Sequence, residues 1–480
     1  MLFDRLTTLS YALLHSLRRR WRNDSLLRNS IYVMSTTAFT AGIGYLYWIV
    51  ATHLYSIQNV GLGAALFSAM TLTSTLANLG IGSTLVHLLP RRTTSSAWSL
   101  AINAGLVLGT IASLLASGIV VAVLPMVSTQ FAVLWHHASY ASLFILGVVL
   151  LTISTLLDQI FVAERVANNM FMRNAVFALF KLPLMIVMSQ MGVLGMLASW
   201  VLANIGSLLL AVTILLPHMQ RTYRLAFRGM IAQIRAMLSL LVGNHFINIG
   251  GMMPAYLVPI LVIIRLSAVE NAYFYTTKMV GGFFYMISPA IATALFAEGV
   301  HTEGNVLHKA RNSALITCAI LTPAMLAMFL GGHFVLSLFG PNYALYGLPL
   351  LMIMIIETVP DAITNIYVSV LRVQNHVRRA AFLNMGMGVT TLLLAWFLLP
   401  IGGIVGAGAA FAISQFLGSI VAGIDFWLMG RQQRQKRLAV MNADTQPDMH
   451  IAVMNADTQP DMRIARNVKN VYEEDMYIKR

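Results

Sequence analysis

The chain is dominated by apolar runs that are too long for the core of a soluble domain. Residues 97–125 and 312–332 contain no acidic or basic residue. About 20 residues of α-helix are enough to cross the roughly 30 Å hydrocarbon core of a bilayer. Of the 480 residues, 58% are hydrophobic and 10% are charged, whereas a soluble domain carries about 25% charged residues. The sequence therefore predicts an all-α polytopic membrane protein.

The apolar runs divide into about twelve predicted transmembrane spans. Several spans are longer than the roughly 20 residues that a crossing needs, which indicates tilted helices or helices that extend beyond the bilayer. The predicted spans are 29–50, 59–89, 97–125, 138–162, 172–190, 194–216, 238–265, 272–298, 312–337, 346–371, 380–399 and 404–429.

The loops between these spans alternate in charge. Basic residues collect on cytoplasmic loops of membrane proteins, so the alternation predicts a multi-pass protein of the cytoplasmic membrane with both termini in the cytoplasm. The same rule accounts for the net charge of +14, and we expect no nucleic-acid partner. The basic loops contain Arg91, Arg92, Arg165, Arg173, Arg221, Arg224, Arg228, Arg235, Lys309, Arg311, Arg372, Arg378 and Arg379.

Three short sequence matches indicate an internal duplication. "YSIQNVG" after the first span parallels "LSAVENA" after the seventh, 211 residues later, and "AINAGL" at 101 parallels "ARNSAL" at 310. "QIFV" at 159 and "RVANN" at 165 parallel "NIYV" at 365 and "RVQNH" at 372, at offsets of 206 and 207. Two halves of six helices each insert in the same direction, so the pseudo-two-fold axis that relates them runs along the membrane normal.

The duplication and the loops divide the chain into five predicted segments. The tail contains a different repeat, in which "LAVMNADTQPDMH" at 438 is followed directly by "IAVMNADTQPDMR". Proline within each copy opposes a continuous helix, and we expect this tail to be disordered. The segments are an amphipathic basic N-terminal segment (1–25), an N-lobe (26–216), a basic cytoplasmic linker (217–236), a C-lobe (237–429) and the cytoplasmic tail (430–480).

Two acidic residues lie within the tenth predicted span. Glu357, Asp361 and Asn365 follow i, i+4, i+8 spacing, which places them within about 80° of one another on a helix. A carboxylate in hydrocarbon is costly and is therefore a candidate functional group. We expect either an acidic stripe that faces a cavity and carries a proton or sodium ion, or a polar pair that fixes helix packing.

Three more charged residues are candidates for substrate or ion binding. Lys181 lies in the fifth span and Lys278 in the eighth, and a cation in hydrocarbon also needs a cavity or a partner. Each lysine either binds an anionic substrate or forms a salt bridge with Glu357, Asp361 or Asp158. Asp158 lies at the inner end of the fourth span, where an interfacial ion pair is the alternative. With a single cysteine in the chain, we expect no disulfide, no metal site and no cofactor.

Four segments carry a resemblance to a known family: "YSIQNVGLGAALFSAMTLTSTLANLGIGSTLVHLLPRR" from Tyr55, "SPAIATALFAEGVH", "LFGPNYALYGLPLL" from 338 and "YVSVLRVQNH" from 367. They resemble polysaccharide flippases of the multidrug/oligosaccharidyl-lipid/polysaccharide (MOP) exporter superfamily. The resemblance covers roughly residues 25 to 430. It implies two lobes around a V-shaped cavity, through which a polyprenyl-pyrophosphate-linked oligosaccharide crosses the membrane. Such precursors supply O-antigen, capsule or teichoic-type polymers.

The resemblance implies a transporter that performs no covalent chemistry, so we expect no enzyme activity. Membrane lipids and other polysaccharide-assembly proteins are the expected partners, and ion coupling stays open. One alternative is an ion-coupled multidrug exporter of the same superfamily. A major facilitator transporter is disfavoured, because it would carry a Gly–Asp–Arg/Lys pattern where this chain has "LLPRRTTSS". A membrane glycosyltransferase or polymerase is disfavoured, because the predicted outer loops are too short to build its site.

Overall fold

The computed structural model describes residues 25–444 except 79, 93, 220–222, 224–228, 239–244, 302–305 and 375. This part of the chain folds into α-helices with short 3₁₀ and π-helical connections and contains no β-strand. The α-helices are α1 (Ser25–Leu54), α2 (Ile57–Ala77), α3 (Ile81–Leu88), α4 (Ser95–Val127), α5 (Val133–His136), α6 (Ala138–Ala163), α7 (Ala167–Val187), α8 (Val193–Leu210), α9 (Leu216–Met219), α10 (Met230–Leu238), α11 (His245–Arg265), α12 (Ala268–Gly281), α13 (Phe284–His301), α14 (Val306–Ser337), α15 (Pro341–Val373) and α16 (Val377–Asp444).

Nine helices in the described residues are long and apolar enough to cross a membrane, judged by length and composition. The predicted eleventh and twelfth spans both lie within α16, which is kinked at Gly403. The predicted seventh span falls on α11, and the predicted eighth is divided between α12 and α13. The prediction of an all-α, multi-pass membrane protein is confirmed.

The chain divides into two compact units, Met1–Ser419 and Ile420–Arg480. All the predicted site residues belong to the first unit. The predicted N-terminal segment up to residue 24 lies outside the described residues, as does the tail from residue 445 onwards. Helix α16 continues to Asp444, beyond the predicted start of the tail at residue 430.

The internal duplication is visible in how equivalent helices begin. Ser56 accepts a hydrogen bond from the backbone N–H of Asn59 at the start of α2 (3.3 Å). Ser267 accepts one from the backbone N–H of Glu270 at the start of α12 (3.1 Å). Serine is favoured at this position because its hydroxyl satisfies an N–H group that has no partner within the helix. The two caps are 211 residues apart, which is the offset of the first sequence match.

The same offset relates two turns. Gly192, before α8, has φ 58° and ψ −139°, and Gly403, at the kink of α16, has φ 58° and ψ −146°. These are conformations that glycine adopts at little cost. Three residues later, Gly195 and Gly406 each lie directly against a backbone carbonyl group of the preceding helix. The short turns near 191 and 400 are therefore copies of one structure.

The ends of α6 and α15 correct the register of the third sequence match. The N–H of Val166 donates to the carbonyl of Phe161 (2.9 Å), and the N–H of His376 donates to that of Leu371 (2.7 Å). This bond between residues five apart is typical of a Schellman helix end, and Arg165 has the positive φ of 58° that such an end requires. The equivalent residues are 210 apart, so the predicted offsets of 206 and 207 were wrong by three or four residues.

Within the first unit, helices α1–α9 form the first half, and α11–α15 with α16 up to Ser419 form the second; α2 packs against both α11 and α12. The closest approach is at Gly61, where a Cβ atom would lie 1.7 Å from the carbonyl oxygen of Ala268. Beside it, the fully buried side chain of Asn271 donates a hydrogen bond to the carbonyl of Gly61 (2.7 Å). Small residues allow membrane helices to approach closely. The two halves therefore meet at a glycine.

Replacing Gly61 by alanine should force α2 and α12 apart. We expect a loss of about 1–3 kcal/mol, as for other overpacked sites, measured as a lower thermal unfolding temperature of the protein in detergent. Gly44→Ala is the matched control, because a Cβ atom at Gly44 in α1 would have nothing within 4 Å. An equal loss of stability in the two variants would contradict the assigned close contact.

Candidate functional site

A cavity of about 230 Å³ lies between the two halves of the first unit. The first half contributes residues of α1, α2 and α8 to its wall, and the second half contributes residues of α11 and α12. Half of the lining residues are aromatic. Among the described residues that line it, one is basic and none is acidic. The aromatic and basic lining residues are Trp48, Phe67, Trp200, Tyr256, Tyr275 and Lys278.

The cation in the cavity wall breaks the symmetry of the duplicated scaffold. Phe67 of α2 and Lys278 of α12 both line the cavity. They are 211 residues apart, which is the separation of the equivalent helix caps and turns. The same structural position therefore holds an apolar ring in one half and an ammonium group in the other.

Lys278 is held by a carbonyl group that a proline leaves without a partner. Its ammonium group donates a hydrogen bond to the backbone carbonyl of Ala255 in α11. In a regular helix that carbonyl would accept from the N–H of residue 259, but Pro259 has no N–H. Within the described part of the chain, no carboxylate lies within salt-bridge distance of Lys278, although Glu357 interacts with it electrostatically.

Lys181 of α7 lies within a cage of aromatic rings. Its ammonium nitrogen is 5.2 Å from the ring centre of Tyr47, 5.3 Å from that of Phe177 and 6.0 Å from that of Trp200. Aromatic faces attract cations at such distances. Lys181 is 6% exposed, and the only salt bridge recorded among the described residues does not involve it. Because Trp200 also lines the cavity, Lys181 lies behind the cavity wall.

The two acids of α15 lie among the helices of the second half and do not line the cavity. Glu357 is 2% exposed and accepts a hydrogen bond from the hydroxyl of Tyr285 in α13 (2.7 Å). Asp361 accepts from the side-chain amides of Asn365 (2.9 Å) and Gln415 (3.3 Å). The structure thus brings Asp361 and Asn365 together as the spacing predicted, whereas it gives Glu357 a separate partner.

These acids have no acidic counterpart in the first half. With the offset of 210 residues given by the ends of α6 and α15, Glu357 is equivalent to Gly147 and Asp361 to Leu151. Both equivalents lie in α6, where a glycine and a leucine cannot take up a proton or a cation through their side chains. The acid cluster is therefore specific to the second half.

Asp158 belongs to a separate, self-contained ion pair. Both of its carboxylate oxygens accept from the guanidinium group of Arg173, with a shortest distance of 2.8 Å. Asn174 also donates to it, at 3.1 Å. The predicted ion pair is present, but its partner is Arg173 of α7 and neither Lys181 nor Lys278. Charge and hydrogen bonding are both satisfied, which is typical of a structural pair.

Sequence reasoning missed most of the partners. Tyr285 lies in the aromatic run "FFYM" and Gln415 lies in the small-residue stretch "AISQFLGS", so neither has a pattern that marks it as a partner of an acid. The cavity aromatics Trp48, Trp200 and Tyr275 come from three helices. No spacing rule along one helix connects them.

Solved structures with a similar fold come from membrane transporters. An inward-facing multidrug resistance MATE family transporter of the MOP superfamily superposes with a TM-score of 0.64 at 14% identity, covering 86% of this chain and 99% of the other. The lipid II flippase MurJ in an inward closed conformation superposes with a TM-score of 0.64 at 10% identity, covering 90% of this chain and 94% of the other. The MATE multidrug transporter DinF-BH superposes with a TM-score of 0.60 at 15% identity, covering 84% of this chain and 95% of the other.

No protein-family model and no curated protein matches the sequence. The chain has the fold of the MOP superfamily transporters, and at this level the predicted resemblance is confirmed. All three solved structures are transporters or flippases. At identities of 10% to 15% the likeness establishes the fold and leaves the substrate to the chemistry of the site.

Replacing Asp158 by asparagine should destabilise the protein, because it leaves Arg173 as a buried charge without a counter-ion. Breaking one side of a buried pair costs about 3–5 kcal/mol, measurable by thermal unfolding in detergent. Removing both charges in Asp158→Asn/Arg173→Met should restore part of that stability.

Glu164→Gln is the matched control, since the carboxylate of Glu164 accepts only from the indole of Trp98 (2.7 Å) among the bonds recorded for it, and an amide oxygen can replace it. If the double variant were no more stable than Asp158→Asn, the structural assignment of this pair would be wrong.

Proposed function

We propose that this protein transports an anionic lipid-linked oligosaccharide across the cytoplasmic membrane by alternating access. The substrate class is a polyprenyl-pyrophosphate-linked glycan, a precursor of O-antigen, capsule or teichoic-type polymers. One observation carries the proposal: the cavity between the halves has Lys278 in its wall and no acidic group among its described lining residues. A cation whose hydrogen-bond partner is a neutral carbonyl keeps its charge available for an anion.

The chemistry of the wall suits both parts of such a headgroup. The ammonium group of Lys278 offers charge and N–H donors to pyrophosphate oxygens. The rings of Trp48, Tyr256, Tyr275 and Trp200 offer flat apolar faces and polar edges, against which sugar rings can pack. A cavity of about 230 Å³ suits the pyrophosphate and the first sugar, while the polyprenyl tail stays in the bilayer.

The environment of Lys181 also supports an anionic substrate. A buried cation that no carboxylate contacts is costly in an apolar medium. Its aromatic cage lowers that cost only partly, because a cation–π contact contributes about 2 kcal/mol when desolvated. We assign Lys181 as a second cation that attracts the pyrophosphate from behind the ring of Trp200.

The contact between the halves suits alternating access. Helix α2 packs against α11 and α12, and these three helices also supply most of the cavity wall. Rocking of one half on the other about such a contact is how parallel-repeat transporters expose a site to each side in turn. Any such motion would change the cavity itself, so binding and translocation are linked through the same helices.

The acid cluster is assigned to ion coupling. Glu357 and Asp361 are both buried, with relative exposures of 2% and 7%, and the described hydrogen bonds to them come from neutral groups. A buried carboxylate without a contacting cation takes up a proton or another cation readily. Asn365 and Gln415 would orient Asp361 for that exchange.

A multidrug exporter is the second candidate. The aromatic cavity wall favours it, since flat rings also bind flat drugs, and Lys278 disfavours it for cationic drugs. The effect of Lys278→Gln on glycan translocation and on drug resistance separates the two candidates.

Replacing Lys278 by glutamine should remove most translocation of the lipid-linked glycan. We expect a decrease of at least about tenfold, as for the loss of one charge-assisted contact of about 1.4 kcal/mol or more, with Lys278→Arg retaining part of the activity. The measurement uses proteoliposomes with a fluorescent polyprenyl-pyrophosphate glycan and an impermeant quencher that reports the outer leaflet.

Lys309→Gln is the control for this experiment, because it makes the same chemical change outside the cavity wall. Normal glycan translocation by Lys278→Gln, together with a changed resistance to drugs, would favour the exporter and overturn the flippase proposal.

Replacing Asp361 by asparagine should uncouple transport from the ion gradient. The variant keeps one side-chain oxygen, which can accept from Asn365 or from Gln415, but it cannot release a proton. We expect its glycan translocation to become insensitive to applied pH and sodium gradients, while substrate binding persists. Translocation by Asp361→Asn that still follows the gradient as the unmodified protein does would exclude the coupling role of Asp361.

A further inference from the structure

Lys278 lines the cavity and lies on a helix that packs against α15, the helix of the two acids. It lies in the last turn of α12, next to the break at Gly282 that separates α12 from α13. On the other side of that break, Tyr285 of α13 donates its hydroxyl to Glu357 of α15 (2.7 Å). Lys278 and the hydroxyl group that binds Glu357 thus belong to consecutive helices on either side of one discontinuity.

The present partner of Lys278 is a weak competitor for its charge. The carbonyl of Ala255 is a neutral acceptor, and it is free only because Pro259 lacks an N–H. Discontinuous membrane helices commonly form the substrate and ion sites of transporters. Lys278 can therefore exchange this carbonyl for an anion at little cost.

Lys278 and Glu357 lie on helices that pack against each other. The ionisable groups at this contact include Lys278 of α12, Glu357 and Asp361 of α15, and Tyr285 of α13, which donates to Glu357. Of these, Lys278 is the only cation. Ionised Glu357 attracts the Lys278 ammonium group across a buried, low-dielectric region, where such interactions are much stronger than in water.

We infer that ionised Glu357 competes with the anionic substrate for Lys278, so that neutralising Glu357 loads the cavity and ionising it releases the substrate. With Glu357 protonated, the positive charge of Lys278 is directed to the pyrophosphate in the cavity. With Glu357 ionised, the lysine is shared with a second anion and the affinity for pyrophosphate falls. Glu357 is thereby a positioning residue for the cation that binds substrate. This inference rests on the proposed function, because it requires an anionic substrate.

The sign of the pH effect follows from this competition. Binding of an anionic lipid should be tighter at low pH, where Glu357 is neutral, and weaker at high pH. Lys278 titrates too, and its deprotonation would also weaken anion binding at high pH. The test therefore replaces Lys278 by arginine, which stays protonated at every accessible pH, so that the remaining titration comes from the acids.

The experiment measures binding of farnesyl diphosphate to the full chain in lipid nanodiscs, by the fluorescence of tryptophans that include the cavity residues Trp48 and Trp200. For Lys278→Arg we expect affinity to fall on the order of tenfold between about pH 5.5 and about pH 8.5. For Lys278→Arg/Glu357→Gln we expect the affinity to stay high. Glutamine keeps the oxygen that accepts from Tyr285. The ligand's own titration is the same for both variants and cancels in the comparison.

Lys278→Arg/Glu164→Gln is the matched control, since it also removes one carboxylate, which accepts from the indole of Trp98 and does not line the cavity. It should keep the pH dependence of Lys278→Arg. A second arm compares the unmodified protein with Glu357→Gln at pH about 8, where the single variant should bind on the order of tenfold more tightly. If the arginine variants do not fold, this comparison by itself tests whether Glu357 lowers the affinity for the anionic lipid.

The outcomes separate this inference from the proposed function. If farnesyl diphosphate binds but Glu357→Gln leaves its affinity and pH dependence unchanged, or if Lys278→Arg/Glu164→Gln also loses the pH dependence, the competition at Lys278 is overturned and the flippase proposal stands. If the unmodified protein binds no farnesyl diphosphate at any pH, the proposed substrate class is overturned, and this inference with it.

Discussion

Every backbone polar group in hydrocarbon needs a partner, and the arrangement of this molecule follows from how that constraint is met where helices are interrupted. Pro259 leaves the carbonyl of Ala255 without its helical donor, and Lys278 supplies one. The break after α12 leaves the carbonyl of Met279 near a helix end, and the hydroxyl of Tyr45 donates to it (2.6 Å). Tyr45 belongs to the first half and Met279 to the second. The interrupted helices thus position the cavity cation and also link the two halves.

The charged residues within the helices are stabilised in three different ways. Asp158 and Arg173 neutralise each other directly. Glu357 and Asp361 are held by neutral hydroxyl and amide groups. The two lysines are held by a carbonyl and by aromatic rings. The first arrangement is complete in itself and needs no ligand. The other two leave net charge in a buried environment, which is why we place ion binding at the acids and anion binding at the lysines.

The two halves share their helical scaffold, and they differ at the residues of the candidate site. Equivalent serine caps, glycine turns and helix ends recur 210 or 211 residues apart. By contrast, Phe67 is replaced by Lys278 at the equivalent position, and Gly147 and Leu151 by two acids. The duplicated parts form the helical scaffold, whereas the cation in the cavity wall and the two buried acids occur in the second half only.

Short sequence matches indicated the duplication. Hydropathy and charge, which are local properties of a chain, determined the membrane class, the positions of most helices and the charged residues that could carry function. They did so because a span of about 20 residues must satisfy the bilayer by itself. The tertiary structure alone decided the partners. Glu357 meets Tyr285 from 72 residues away, and Asp361 meets Gln415 from 54 away, so no periodicity along one helix could have paired them. It also decided that Lys278 faces the cavity while the acids lie behind it, because that depends on how α2, α11 and α12 pack, and packing is set by the shapes of side chains that come together only in the folded protein.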